Sequence, residues 1–258
     1  MKKNLISILI TNYNKGNYLK KTINSCLIQN FINKEILVFD DCSTDNSLKI
    51  LNKFKTIKII RNKKKRFKSG PLNQIYGLKE LFKISKGNII FLLDSDDLFK
   101  KKKLFEINKI FKKNDKINFI QDTPFLSFDK KKMILKKKKH FFSIWPSFHP
   151  TSCIAFKRVF FIKFLKFLNE NKFPNLEIDA RLSIYSFLKN EFFTTKKSLT
   201  IYNYDEFGIS SKYKKFSIYW WKKRKEAFDY MIFLTKKLNI KFYVSPDFYI
   251  TKIINFFI

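Results

Sequence analysis

The sequence predicts an α/β fold, a mostly parallel sheet flanked by helices, and three observations carry that expectation. Short apolar runs rich in β-branched residues alternate with stretches of helical period through roughly the first hundred residues. Those runs have the character of strands covered by helices. At 258 residues the chain can bury a substantial core without disulfides, and no Gly/Ser/Pro-rich linker divides it.

Taken in order, strands are expected at 5–11, 35–39, 57–60 and 89–93, with helices at 18–29, 46–54 and 72–84 between them. Ser43, Thr44 and Asp45 precede the second helix, and any of them can cap its first turn. This repetition implies right-handed crossovers. Another helix is expected at 102–111, after which 117–135 turns into short alternating segments. Residues 1–110 therefore read as a regular half, 111–212 as a less regular half of the same domain, and 213–258 as a C-terminal helical extension. Within the extension, 216–238 carries aromatic and apolar residues at helical spacing with basic residues between them. Core packing is favoured there over a membrane-surface helix.

The 54 Lys plus Arg outnumber the 21 Asp plus Glu, a net charge of +33. Such a balance attracts nucleic acid or an anionic membrane. Abundant Lys, Ile, Asn and Phe with scarce Gly, Pro, Ala and Arg are equally the product of drift in an A+T-rich genome, which is the favoured cause. The basic runs 63–66, 100–103, 130–132 and 136–139 fall at inferred element boundaries, where solvated loops are the default. Three cysteines without CxxC spacing suggest neither a disulfide framework nor zinc, and two histidines exclude a His-rich metal site. The apolar start imitates a signal peptide but stops at Thr11-Asn12. No apolar run approaches the roughly 20 residues of a membrane span, so a cytoplasmic or peripheral protein is expected.

The carboxyl ends of parallel strands open on one edge, where ligands bind. Here the first strand runs into Thr11-Asn12-Tyr13-Asn14, the second into Asp40-Asp41 and the fourth into Asp94-Ser95-Asp96-Asp97. Asp94 and Asp96 are two apart, so they project to one side and offer hard oxygen ligands to Mg²⁺ or Mn²⁺. The competing explanation is that these acids cap the helix near Lys102. Aromatic and hydroxyl groups gather at Trp145, His149, Thr151 and Ser152; a lone His is more often a structural hydrogen-bonder.

The segment SILITNYNKGNYLKKTINSCLIQNF…KEILVFDDCSTDNS followed by SKGNIIFLLDSDD resembles family 2 glycosyltransferases of the GT-A fold, over roughly the first 110 residues. That resemblance implies a Rossmann-like sheet and an inverting, nucleotide-sugar-dependent transferase. It assigns Thr11, Tyr13 and Asp41 to the nucleoside, and the DxD pair Asp94 and Asp96 to metal and diphosphate, with Asp97 in support. It implies a general base in the second half, for which Asp179 is the candidate and Glu177 the reserve. Trp145, His149, Thr151 and Ser152 then fit a sugar-acceptor wall, and Asp205, Glu206, Ser210 and Ser211 occupy what looks like the late active-site loop. The expected partners are a UDP- or dTDP-linked sugar and a glycan or lipid-linked acceptor of bacterial surface polysaccharide, with peripheral contact to anionic membrane.

Two departures stand out. Gln74-Ile75 replaces the frequent Arg-Asn, which leaves diphosphate contacts to Lys68, Lys100 or other basic groups, and Lys101 stands where Pro is frequent. The Gln-x-x-Arg-Trp motif of processive synthases is absent, pointing to one or very few sugars per encounter. The alternatives are a basic nucleic-acid-binding protein, which gives no reason for acids at strand ends and shows no recognised signature, and a member that binds nucleotide but has lost transfer.

Overall fold

The computed structural model describes residues 5–128, 131–134, 144, 148–168, 172–203 and 213–258. Four parallel strands, β1 (Ile6–Asn12), β2 (Lys34–Asp41), β3 (Lys58–Asn62) and β4 (Ile89–Asp94), lie in the order β3-β2-β1-β4. They are linked by α1 (Gly16–Leu27), α2 (Ser47–Leu51) and α3 (Gly70–Ile84). Side chains alternate between two cores, one on each face of the sheet. Leu9, Leu37 and Leu92 enter the core that α3 covers, whereas Ile8, Val38 and Phe91 face the core that α1 covers. Such two-sided burial is why these strands read as unbroken apolar runs.

Local chemistry sets the helix boundaries. Ser69 caps α3 by accepting from the Leu72 amide, with Pro71 in the first turn. Gly77 lies so close to Phe39 that an added Cβ would sit 2.5 Å from its ring, so the smallest residue lets α3 settle on β2. The expected cap of α2 is not Ser43, Thr44 or Asp45: Asn46 holds the cap position without a side-chain cap bond, and Asp45 just before it accepts from the Ser47 amide (2.9 Å).

The second half adds β5 (Leu98–Phe99), α4 (Lys103–Lys113), β6 (Phe119–Phe128), β7 (Lys131–Ile134), β8 (Ile154–Lys157), α5 (Arg158–Leu165), α6 (Ile178–Leu188) and β9 (Phe192–Asn203). The sheet continues from β4 as β8-β6-β9-β5, with β7 paired to β6. Antiparallel β4–β8, β6–β8 and β5–β9 pairs join a parallel β6–β9 pair. Within the stretch expected to hold short alternating segments, β6 is one long strand and β7 its short partner. Leu98 follows Asp94 by four residues, a reach of at most about 14 Å, yet it pairs with Ile201 at the far edge. The sheet must curl to bring that edge back beside the end of β4.

Finally α7 (Ile218–Leu238) and α8 (Pro246–Phe257) complete the chain. Ala227, Tyr230, Met231 and Leu234 bury one side of α7 in the α3-side core, as the core reading expected. The Arg224 guanidinium ties α7 to the Asp247 carboxylate of α8. The expectation that 100–103 is a solvated basic loop fails at Lys103, which is wholly buried for the reason given below.

Candidate active site

Register determines which strand ends meet. Thr11 lies beside both Phe39 and Asp94, Asn12 beside Asp40, and Asp41 beside Asn62. The Asn12 side-chain amide donates to Asp40 (2.7 Å) and to the Ser43 hydroxyl (3.1 Å), while the Ser43 amide donates to the other Asp40 oxygen (3.2 Å). Buried Asp40 thus locks β1 to β2, leaving Asp41 at the sheet edge, where it accepts from the Asn62 amide (2.9 Å). Cys42 turns the chain sharply with φ 59°. Beside Asp41 lies a cavity of about 420 Å³ lined by Cys42, Ser43, Arg61, Asn62 and Lys63. The Tyr13 ring is 44% exposed nearby in sequence to the lock, with the Lys65 ammonium 3.3 Å from its centroid.

The fourth strand ends in a tight acidic turn, closed by the Asp97 amide donating to the Asp94 carbonyl (3.1 Å). Ser152 braces it twice: its hydroxyl accepts from the Asp94 amide (2.9 Å) and donates to the Asp97 carboxylate (2.5 Å). Asn203, at the end of β9, donates its backbone amide to Asp97 (2.8 Å) and its side chain to the Asp96 carbonyl. Gln74 donates to Asp94 (2.7 Å), and the Lys15 ammonium lies 2.8 Å from Asp96. The helix-cap explanation fails, because α4 starts at Lys103 with Lys102 in the cap position and no side-chain cap bond.

Negative charge accumulates at this turn. Burial, with the charges of Asp96 and Asp179, pushes the Asp94 carboxyl up to about 8 against the pull of Gln74 and Lys15. Burial followed by Asp96 and Asp94 raises Asp97 well above the ordinary carboxylate range, although Ser152 and Asn203 oppose it.

Asp179, in the first turn of α6, lies near enough for its charge to raise Asp94 although 85 residues separate them in sequence. Its placement is built from polar contacts. Fully buried Arg181 donates to the carbonyls of Lys172 (2.8 Å), Phe173 (2.7 Å) and Leu176 (3.0 Å). Glu226 on α7 accepts from the Asn175 amide (2.8 Å) and side chain (2.5 Å). Glu177, by contrast, is ion-paired with Lys223 of α7.

The acceptor-side candidates are placed differently from an open wall. His149 is buried, its Nδ1 2.7 Å from the Asp122 carbonyl, and its amide donates to Gln121 (3.2 Å). Thr151 is buried in a 3-10 turn at Thr151–Cys153, and Ser152 is the brace described above. Trp145 lies outside the described residues, as do Asp205, Glu206, Ser210 and Ser211.

Sequence reasoning missed the support behind the acidic turn. The wholly buried Lys103 ammonium donates to Asp122 (2.6 Å), the Ser152 carbonyl (2.6 Å) and the Thr200 hydroxyl (2.5 Å). The other Asp122 oxygen accepts from the Leu199 amide (3.0 Å). A lone acid in the apolar run Phe119–Phe128 was the available signal, since a buried charge demands a partner.

The fold is an α/β sheet with an acidic turn at its carboxyl edge, and comparison with known proteins identifies its class. Residues 7–174 match the profile of Glycosyl transferase family 2, and the chain belongs to that family. It is 40% identical over 93 residues to the UDP-Glc:alpha-D-GlcNAc-diphosphoundecaprenol beta-1,3-glucosyltransferase WfaP of Escherichia coli, covering 36% of each chain. Matches span about a third of the length of such curated relatives. The fold is similar to Staphylococcus aureus TarS 1-349 in complex with UDP, with TM-score 0.63, 14% identity, and coverage of 88% of this chain and 65% of that one. It is also similar to the mannosyltransferase PcManGT from Pyrobaculum calidifontis in complex with GDP-Man and Mn²⁺, with TM-score 0.62, 12% identity, and 94% and 66% coverage. These likenesses establish the GT-A fold.

Proposed function

We propose that the chain is an inverting glycosyltransferase that moves a sugar from a UDP- or dTDP-type donor to a hydroxyl of a glycan or lipid-linked acceptor, in bacterial surface polysaccharide synthesis. The observation that supports this reading is the acidic turn holding Asp94 and Asp96 at the carboxyl end of β4, where the charge of Asp179 on distant α6 also raises the Asp94 carboxyl. The E. coli relative's name supplies a UDP-linked donor and a lipid-diphosphate acceptor as a chemical precedent.

Thr11, Tyr13 and Asp41 are assigned to the nucleoside, with Tyr13 offering a ring face to the base and Asp41 accepting from a pyrimidine imide or the ribose. Asp94 and Asp96 fit a hard divalent cation, Mn²⁺ or Mg²⁺, because their charges lie close together in one turn, with Lys15 paired to Asp96 and a neutral amide from Gln74 on Asp94. Among the described residues no three His, Cys, Asp or Glu form a complete metal cage. Two carboxylates suit such an ion, which takes its remaining ligands from substrate phosphates and water. When bound it supplies positive charge that stabilises the departing diphosphate.

The Asp179 carboxylate accepts the proton of the acceptor hydroxyl as that oxygen bonds to the anomeric carbon and the bond to the diphosphate breaks, which inverts the centre. Glu177 is less suited to the role, being engaged by Lys223. Ser152 and Asn203 hold the turn rigid from behind.

A thermal-shift screen of nucleotide sugars with manganese tests the reading. A stabilising shift with UDP- or dTDP-sugars is expected, and no response to any nucleotide sugar contradicts it. Turnover with a matching acceptor then separates a working transferase from a nucleotide-binding relative that has lost transfer.

A further inference from the structure

Helix α8 is apolar on two sides, and among the described residues only one of them is packed. Phe248, Thr251 and Asn255 form the inner stripe: Phe248 packs edge-on against Phe228 and Phe242, and Asn255 donates to the Trp221 carbonyl (3.1 Å). Tyr249, Ile253 and Phe256, with Ile250 and Phe257 beside them, follow the i, i+4, i+7 spacing of a second stripe that faces outward. Phe256 is 84% exposed and Phe257 78%. The Asn255 bond sets this end of α8 against the first turns of α7, where exposed Phe216 packs on Trp220 and Trp221 and Tyr219 is also exposed. A contiguous aromatic face of this kind is not scattered surface apolarity.

Charge identifies what it fits. Lys214, Lys215, Lys222, Lys225 and Lys252 are exposed around the two helices. Of the acids in 213–258, Asp247 is held by Arg224 and Glu226 by Asn175, which leaves Asp229 as the one exposed carboxylate there. A two-fold pairing of this face with a second copy would bring like charges together. Rings that sit at the water boundary, flanked by lysines, match a lipid surface bearing negative headgroups. Among the described residues no helix is long and apolar enough to cross a membrane, so such contact is in-plane.

We infer that the outer face of α8, together with the start of α7, docks the protein on an anionic lipid surface. The proposal deepens the lipid-linked acceptor reading and rests on it for its purpose. Lys223 of α7 pairs with Glu177, two residues before Asp179, so the docked end adjoins the candidate base. A membrane-borne acceptor presented at that face reaches the base without the enzyme leaving the surface.

Sedimentation with vesicles tests this without donor or turnover, so its failure leaves the nucleotide-sugar reading standing. The full chain is mixed with vesicles of phosphatidylcholine alone or of phosphatidylcholine with phosphatidylglycerol, at low and high salt. The wild type is expected to pellet with the anionic vesicles and to be released by salt, and Ile253→Glu/Phe256→Glu to bind at least about tenfold more weakly. Both side chains project into solvent, so the variant keeps the wild-type melting curve and its thermal response to UDP with manganese. Equal binding to both vesicle types, unchanged binding by the variant, or a wild-type dimer that the variant dissociates would overturn the proposal.

Discussion

Two sets of aspartates lie within one side chain of each other, and their fates differ. Asp122 receives the Lys103 ammonium, the Thr200 hydroxyl and the Leu199 amide, all buried. Asp94 receives one neutral amide from Gln74 and lies near two further acids. Ser152 touches both sets, giving its carbonyl to Lys103 and its hydroxyl to the acidic turn. The difference teaches that residue type does not separate scaffold from site. What separates them is how the protein supplies countercharge: Asp122 holds a wholly buried ammonium, whereas in the acidic turn Lys15 reaches Asp96 from a partly exposed position and Asp94 has a neutral amide. A buried carboxylate without its own cation attracts a cation or a proton.

The sharpest break in the comparison is at Asp179, whose charge raises the Asp94 carboxyl and which is assigned proton transfer rather than cation binding. Asp179→Asn is expected to lower kcat by about 10²–10⁴-fold with donor affinity kept, as judged by initial rates beside UDP titration. Retained turnover removes Asp179 from the role. On the compensated side, Lys103→Met strands Asp122 without its cation. A loss of roughly 3–5 kcal/mol in urea unfolding is expected, and an unchanged midpoint shows that Lys103 does not hold the network.

The pH response distinguishes the two sets next. Asp94 is raised from its ordinary 3.8 to about 8 in the folded protein, so the folded state binds more protons than the unfolded one across that window. Stability without metal therefore falls as pH rises through it. Melting temperatures in chelator are expected to decline over this range, with a shallower slope in Asp94→Asn; identical slopes contradict the assignment. The smallest effect is expected at Gln74. Gln74→Leu removes the one neutral donor to Asp94 and is expected to weaken UDP binding by only a few fold, on the order of one hydrogen bond, in the same titration.

Much of the uncompensated set was legible in the sequence, and most of the compensated set was not. Asp41, Asp94 and Asp96 follow unbroken apolar runs, and local pattern alone puts strand ends on one edge. Lys103 is the last of four lysines and looks like solvent-facing charge until Phe119–Phe128 and Phe192–Asn203 close over it. The pairing of Leu98 with Ile201 depends on a curl that no local period encodes. Thr151 and Ser152 were noticed for their hydroxyls, but a hydroxyl serving an acceptor and one bracing a turn look alike in sequence. Proximity to the bracing partners Asp94 and Asp97 decides between them.

The central claim is that Asp94 and Asp96 hold a divalent cation against a sugar nucleotide's diphosphate, and calorimetric titration of UDP into wild type and Asp96→Asn tests it most directly. With manganese in place of chelator, wild type is expected to bind UDP at least about tenfold more tightly, about 1.4 kcal/mol, and Asp96→Asn to lose that gain while melting like wild type. A variant that keeps the full manganese-dependent gain contradicts the account.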